Sequence, residues 1–273
     1  MNRKEFLLWI FLPVMIFAQG QGVTETKKIY SKSLNDSLHY NIYLPSERVK
    51  PEAVLYLLHG YTGDHADWAE KGQVTETMNN LLINNNTLPM IVVMPNAGNS
   101  WYVNSDPEIS WGFYEDAIMM DLWNHISDSY DFACQTPSAY IAGLSMGGYG
   151  ALHLAFKYPE RFDAAASLSG AFMPKLPEGF DILEKTFGDP ADPKKYQQEN
   201  PFKLAVSDSL KQMPVYITCG DDDLRLYKYS VEMYDTLIEK GYPAELRISD
   251  GAHTWEVWKR ELPKVLHFFD GIQ

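Results

Sequence analysis

The sequence predicts an α/β fold in which helices cover both faces of a mostly parallel central sheet. Three observations lead there. Uniformly apolar runs at Ala53–Leu58, Met90–Met94, Ala139–Ala142 and 164–169 read as short strands buried on both faces. Segments of helical period, such as 69–83, 226–240 and 255–269, separate these runs as crossover helices would. The length of 273 residues and a hydrophobic content of 45% suit one large domain with a substantial core. No internal repeat, low-complexity tract or linker divides the chain, so residues 23–273 are expected to form a single domain.

Residues 1–18 stand apart. Arg3 and Lys4 precede the apolar run Phe6–Phe17, and Ala18 supplies a small residue after it. This is the pattern of a signal peptide cleaved near Ala18, giving an exported (periplasmic or secreted) protein. The run is too short for a stable membrane anchor. The formal net charge of −13 offers no basic stripe for phosphates and so argues against a nucleic-acid partner. Of two cysteines, Cys134 precedes one predicted strand and Cys219 ends another. They should lie at opposite sheet edges, too far apart for a disulfide, as free and mostly buried thiols.

In chain order, strands are expected around 28–33 and 38–44, joined by a hairpin turn at Leu34–Ser37. The strand Ala53–Leu58 leads into His59-Gly60-Tyr61-Thr62-Gly63, where His59 is expected to brace backbone and His65 to lie on the surface. A helix at 69–83 leads to the strand Met90–Met94. The loop Pro95–Asn104 follows at the same sheet edge, and its Trp101 and Tyr102 are candidates for lining a substrate pocket. A helix is expected over 111–130, with His125 a surface or core-edge residue. After the strand 164–169, residues 171–212 break the α/β alternation with Pro, Lys, Asp and Gly. An irregular insertion at a strand's carboxyl end is expected to act as a lid or pocket wall. The strands 214–218 and 244–248 and the helices 226–240 and 255–269 complete the chain.

The chemistry centres on Gly143-Leu144-Ser145-Met146-Gly147, between a predicted strand and a predicted helix. Gly-x-Ser-x-Gly in that setting is a nucleophile elbow: the glycines allow close strand–helix approach, and the helix N-terminus favours a developing oxyanion. A serine hydroxyl needs a base, and the base needs an orienting carboxylate. Both occur at later strand ends, in the order Ser, Asp, His. His253, in Asp250-Gly251-Ala252-His253, is the candidate base. Asp223, farthest into the loop of Asp221-Asp222-Asp223, is the favoured acid, with Asp222 and Asp250 as alternatives. No His-x-x-x-His or Cys-x-x-Cys spacing, glycine-rich dinucleotide fingerprint or P-loop is present, so neither a metal nor another cofactor is expected.

The stretches Leu57–Gly63, Asn99–Tyr102, Gly143–Gly148, Cys219–Asp223 and Gly251–Trp258 together resemble an esterase family of α/β-hydrolases. That family includes feruloyl esterases, tributyrin-type carboxylesterases, S-formylglutathione hydrolases, enterochelin esterases and mycolyltransferases. The resemblance runs from about residue 28 to the C-terminus. It implies Ser145 as nucleophile, His253 as base, Asp223 as acid, and the backbone N–H groups of Tyr61 and Met146 as the oxyanion hole. Trp255 resembles a tryptophan beside the family's catalytic histidine, which suggests that it borders the substrate. Thr254 stands where the family often has Asp, a change not expected to alter the chemistry. The implied activity is serine carboxylic-ester hydrolysis of a small-molecule or polysaccharide-linked ester. Feruloyl or acetyl groups on xylan are favoured over short-chain, lipid or siderophore esters and over acyl transfer to a sugar. A non-catalytic carbohydrate-binding role is the least favoured.

Overall fold

A computed structural model of the chain describes residues 21–130, 138–179, 181–207 and 212–272. The expected signal segment 1–18 and Cys134 lie outside the described residues. The eight strands are β1 (Val23–Ser31), β2 (Asp36–Leu44), β3 (Ala53–Leu58), β4 (Met90–Pro95), β5 (Ser138–Leu144), β6 (Ala164–Leu168), β7 (Val215–Gly220) and β8 (Ala244–Ser249). They form one sheet in the order β1-β2-β4-β3-β5-β6-β7-β8. The β1–β2 and β2–β4 pairs are antiparallel and every other pair is parallel.

The helices are α1 (Asp67–Glu70), α2 (Val74–Ile83), α3 (Tyr114–Asp116), α4 (Trp123–Ser129), α5 (Met146–Lys157), α6 (Asp181–Phe187), α7 (Lys194–Glu199), α8 (Pro201–Ala205), α9 (Tyr227–Glu239) and α10 (Trp255–Asp270). A π-helical segment, Ala117–Leu122, joins α3 to α4. Side chains alternate across a strand, so each apolar run feeds two cores. Ala53, Leu55 and Leu57 pack with Trp68, Met78, Leu262 and Phe269 under α1, α2 and α10. Val54, Tyr56 and Leu58 face the other way, toward Ile118, Leu152, Phe156 and Leu237.

Two expected helices differ from the sequence reading. The helix expected at 69–83 is broken: Gly72 lies against the Trp68 and Trp255 rings with no space for a side chain, and Gln73 takes a left-handed φ of 53°. The helix expected from 111 starts only at Tyr114. An isolated bridge between Asn104 and Phe113 and the left-handed φ of 95° at Gly112 keep the preceding residues out of the helix, and the Asn104 side chain accepts a bond from the Asp116 N–H. The 171–212 insertion contains only the short helices α6, α7 and α8 among its described residues. Cys219 is a free, buried thiol, and burial pushes it up to about 11, which leaves it unreactive.

Because β3, β5, β7 and β8 run parallel, the residues that follow them converge on one sheet edge. That edge receives the His59 loop, Ser145, Asp221–Asp223 and Asp250–His253.

Candidate active site

Ser145 sits between β5 and α5 at φ 54° and ψ −116°, a strained conformation for a residue with a side chain. Its surroundings hold it there. The Ser145 N–H donates to Leu168 O at 2.9 Å, and its carbonyl accepts from the Tyr149 and Ala171 amides, each at 3.0 Å. The flanking glycines are required by contact: a Cβ on Gly143 would lie 2.3 Å from Gly147 O, and one on Gly147 would lie 2.5 Å from Leu58 O. Any larger residue would push the helix off the strands and move the serine.

His253 reaches the serine from the β8 loop. Its Nε2 lies 2.9 Å from Ser145 Oγ, and its Nδ1 lies 2.6 Å from Asp223 Oδ2. The ring stands edge-on to Trp258, with centroids 4.8 Å apart, and the Trp258 indole in turn donates to Ser169 Oγ. The three adjacent aspartates divide their work. Asp221 accepts from the Gly251 N–H at 3.0 Å and ties the two strand-end loops together. The Asp222 amide bonds Gly251 O at 3.0 Å while its side chain stays exposed. Asp223 alone is buried and turned to the imidazole. Asp250, the other alternative, is exposed, and its carbonyl is held by the Arg260 guanidinium.

The loop after β3 is pinned at three successive carbonyls. Leu58 O accepts from the Trp68 indole at 2.9 Å, His59 O from the Tyr102 hydroxyl at 2.8 Å, and Gly60 O from His59 Nδ1 at 2.8 Å. His59 Nε2 accepts the Ala97 N–H at 3.0 Å, so both ring nitrogens brace backbone. Burial holds the His59 imidazole below its ordinary range, which keeps it neutral for that role. Among the described residues, neither the Tyr61 nor the Met146 N–H donates to a protein acceptor. Two unpaired amides thus flank the serine, the arrangement an oxyanion needs.

A cleft of about 800 Å³ opens beside Asp223 and His253, walled by Tyr61, Trp101, Ala171, Met173, Leu183 and Tyr229. A second, of about 620 Å³, borders Ser145 and His253 through Gly60–Gly63, Trp255 and Trp258.

The family model described as "Putative esterase" matches residues 31–269. The chain belongs to that family. It is similar to an acetyl esterase from Caldicellulosiruptor saccharolyticus, 26% identical over 249 residues, a match covering 83% of this chain and 85% of the relative. It is also similar to an endo-1,4-beta-xylanase/feruloyl esterase from Xylanibacter ruminicola, 26% identical over 257 residues. That match takes in 90% of this chain but only 31% of the longer relative. Among solved structures, a ferulic acid esterase superposes with a TM-score of 0.79 at 28% identity, over 93% of this chain and 99% of that one. The α/β-hydrolase fold expected from the sequence is the fold observed.

Within this esterase the aromatic candidates separate. Trp101 forms part of the larger cleft's wall, and Trp255 borders the smaller cleft while packing edge-on against Trp68 and Trp258. Tyr102 lines neither of these clefts. It is fully buried beneath α5, where a Cβ on Gly150 would lie 2.3 Å from its ring, and its hydroxyl braces His59 O. His65 is half-buried, with its ring 5.9 Å from that of His39.

Sequence reasoning missed a second polar centre. Glu115 and His153 are buried, and His153 Nε2 lies 3.2 Å from Glu115 Oε2. Tyr158 donates to Glu115 at 2.6 Å, and Lys157 bridges Glu115 and Glu199 at 2.9 and 2.7 Å. The Glu199 carbonyl accepts from both Tyr149 and His153, which fastens α7 of the insertion to the helix that carries Ser145. Tyr149, His153 and Lys157 recur every four residues along α5, and that periodicity was the available signal. Glu115 and Glu199 lie far away in sequence.

Proposed function

We propose that the chain is an exported serine carboxylesterase that works through an acyl-enzyme on feruloyl or acetyl esters of plant hemicellulose. The observation that carries this reading is the unbroken relay Asp223–His253–Ser145, with two unpaired amides at the serine. His253 Nε2 takes the Ser145 proton as Oγ attacks the ester carbonyl. The Tyr61 and Met146 amides receive the oxyanion, and Asp223 holds the Nδ1–H and stabilises the imidazolium. His253 then protonates the leaving alcohol. Water, deprotonated by the same imidazole, releases the acid and restores the serine.

The aryl substrate is supported by the apolar wall of the larger cleft, whose volume suits a phenolic acyl group or a sugar. It is supported too by similarity to a ferulic acid esterase structure. The acetyl alternative draws on the acetyl esterase relative. Export rests on the Arg3-Lys4 and Phe6–Phe17 pattern, and no helix among the described residues is long and apolar enough to cross a membrane.

Initial rates on methyl ferulate, 4-nitrophenyl acetate and butyrate, and acetylated xylan, each with Ser145→Ala as control, test the proposal. Serine-dependent turnover with a strong ferulate preference is expected. Activity confined to small acyl esters would remove the feruloyl assignment, and turnover of xylan acetate would favour the acetyl one.

A further inference from the structure

The larger cleft has an apolar wall and a cationic mouth. Trp101, Ala171 and Leu183 are 6%, 7% and 3% exposed, whereas Lys175, Arg225 and Lys228 stand exposed along the same cleft. This is unexpected in a chain with 36 acidic and 23 basic residues. Elsewhere Lys71, Lys157, Lys185 and Lys264 each hold a carboxylate within 3.0 Å, and described lysines without an ion pair, such as Lys28, Lys203 and Lys259, are scattered rather than gathered at one cleft. Among the described residues no carboxylate lies within ion-pair distance of Lys175, Arg225 or Lys228, and Lys228 instead rests 4.9 Å from the centre of the Tyr229 ring. The carboxylates that face this cleft are the exposed Asp222 and Asp223, the latter held against His253. The three cations come from separate segments, Lys175 from the insertion, Arg225 from the loop before α9 and Lys228 from the first turn of α9. Unpaired cations gathered at a concave mouth concentrate anions there, and a low-dielectric wall strengthens the effect.

We infer that the ester hydrolysed here carries a fixed negative charge, a carboxylate, on the part that fills the larger cleft, beyond an apolar or aromatic portion. The inference rests on the serine-esterase reading above. The chemistry fits an ester of a uronate-bearing saccharide, with the charge on the alcohol, or a monoester of a dicarboxylic acid, with the charge on the acyl group.

The test compares matched pairs at low ionic strength. The acyl-side pair is 4-nitrophenyl hemisuccinate against 4-nitrophenyl butyrate. The alcohol-side pair is a feruloyl ester of glucuronic acid against the same ester of glucose. In one pair, kcat/KM for the charged member is expected to exceed that of its neutral partner about tenfold, with the advantage shrinking as salt is added. That ratio is expected to fall about tenfold in the triple variant Lys175→Gln, Arg225→Gln, Lys228→Gln. The wild-type salt dependence reads the same charge effect without relying on the variant's folding. Equal or faster turnover of the neutral member in both pairs, or an unchanged ratio in a folded triple variant, overturns the inference while leaving the esterase reading standing. Failure of every ester to turn over overturns both.

Discussion

Among the described residues two histidines meet carboxylates, His253 and His153, and only the first also meets a nucleophilic hydroxyl. His253 meets Asp223 through Nδ1 at 2.6 Å and Ser145 through Nε2 at 2.9 Å, with a ring that is 36% exposed at the cleft. His153 meets the Glu199 carbonyl through Nδ1 at 2.9 Å and Glu115 through Nε2 at 3.2 Å, with no exposure at all. A carbonyl and a carboxylate only accept hydrogen bonds, so neither partner of His153 offers a proton to be taken. At His253 the third partner is a hydroxyl, which can give up its proton. The same two functional groups, imidazole and carboxylate, therefore stand in the geometry of a base in one place and of a tether in the other, and the third partner decides which.

The comparison can be broken at either end. Asp223→Asn removes the acceptor that fixes the His253 tautomer, and kcat is expected to drop about 10⁴-fold with the fold intact by circular dichroism. Glu115→Gln should act on stability instead. Burial alone would raise Glu115, but bonds from His153 and Tyr158 and the charge of Lys157 outweigh it and hold the carboxyl at about 2, against an ordinary 4.5. A carboxyl depressed in the folded state stabilises the fold above its ordinary range and loses that contribution as pH falls toward 2. The variant is expected to lose about 2–3 kcal/mol at pH 7 by urea denaturation, and the gap to wild type should narrow steadily below about pH 4.

Smaller changes sharpen the contrast. Tyr102→Phe removes the bond to His59 O, at a cost of about 1 kcal/mol in stability. By loosening the loop that presents the Tyr61 amide, it should also slow kcat about threefold to tenfold. Asp250→Asn, at an exposed carboxylate, should change kcat by less than about twofold. A large loss there, with Asp223→Asn active, would reassign the acid.

The sheet was legible because β3, β4, β5 and β6 are buried on both faces and so read as unbroken apolar runs. The candidate site was legible because parallel strands deliver their following residues to one edge: the Gly-x-Ser-x-Gly turn marked Ser145, chain order marked the later loops of Asp221–Asp223 and His253, and position farthest into its loop favoured Asp223. What stayed hidden depends on contacts between distant segments. The break at Gly72 needs the Trp255 ring, from the far end of the chain, to be in place. Tyr102 points inward because Gly150 leaves room beneath α5, which the composition of its loop does not reveal. The Glu115–His153–Glu199 tether joins residues 38 and 46 positions apart, each unremarkable in its own segment.

Trapping of the acyl-enzyme tests the central claim most directly. Wild type mixed with a 4-nitrophenyl ester, acid-quenched within its first turnovers, would be weighed intact by mass spectrometry and then mapped by peptide. A single acyl addition on the peptide containing Ser145, absent from Ser145→Ala, is the expected result. Ester cleavage at the wild-type rate in Ser145→Ala, or an acyl mass mapped to another residue, would contradict the assignment of Ser145 as nucleophile.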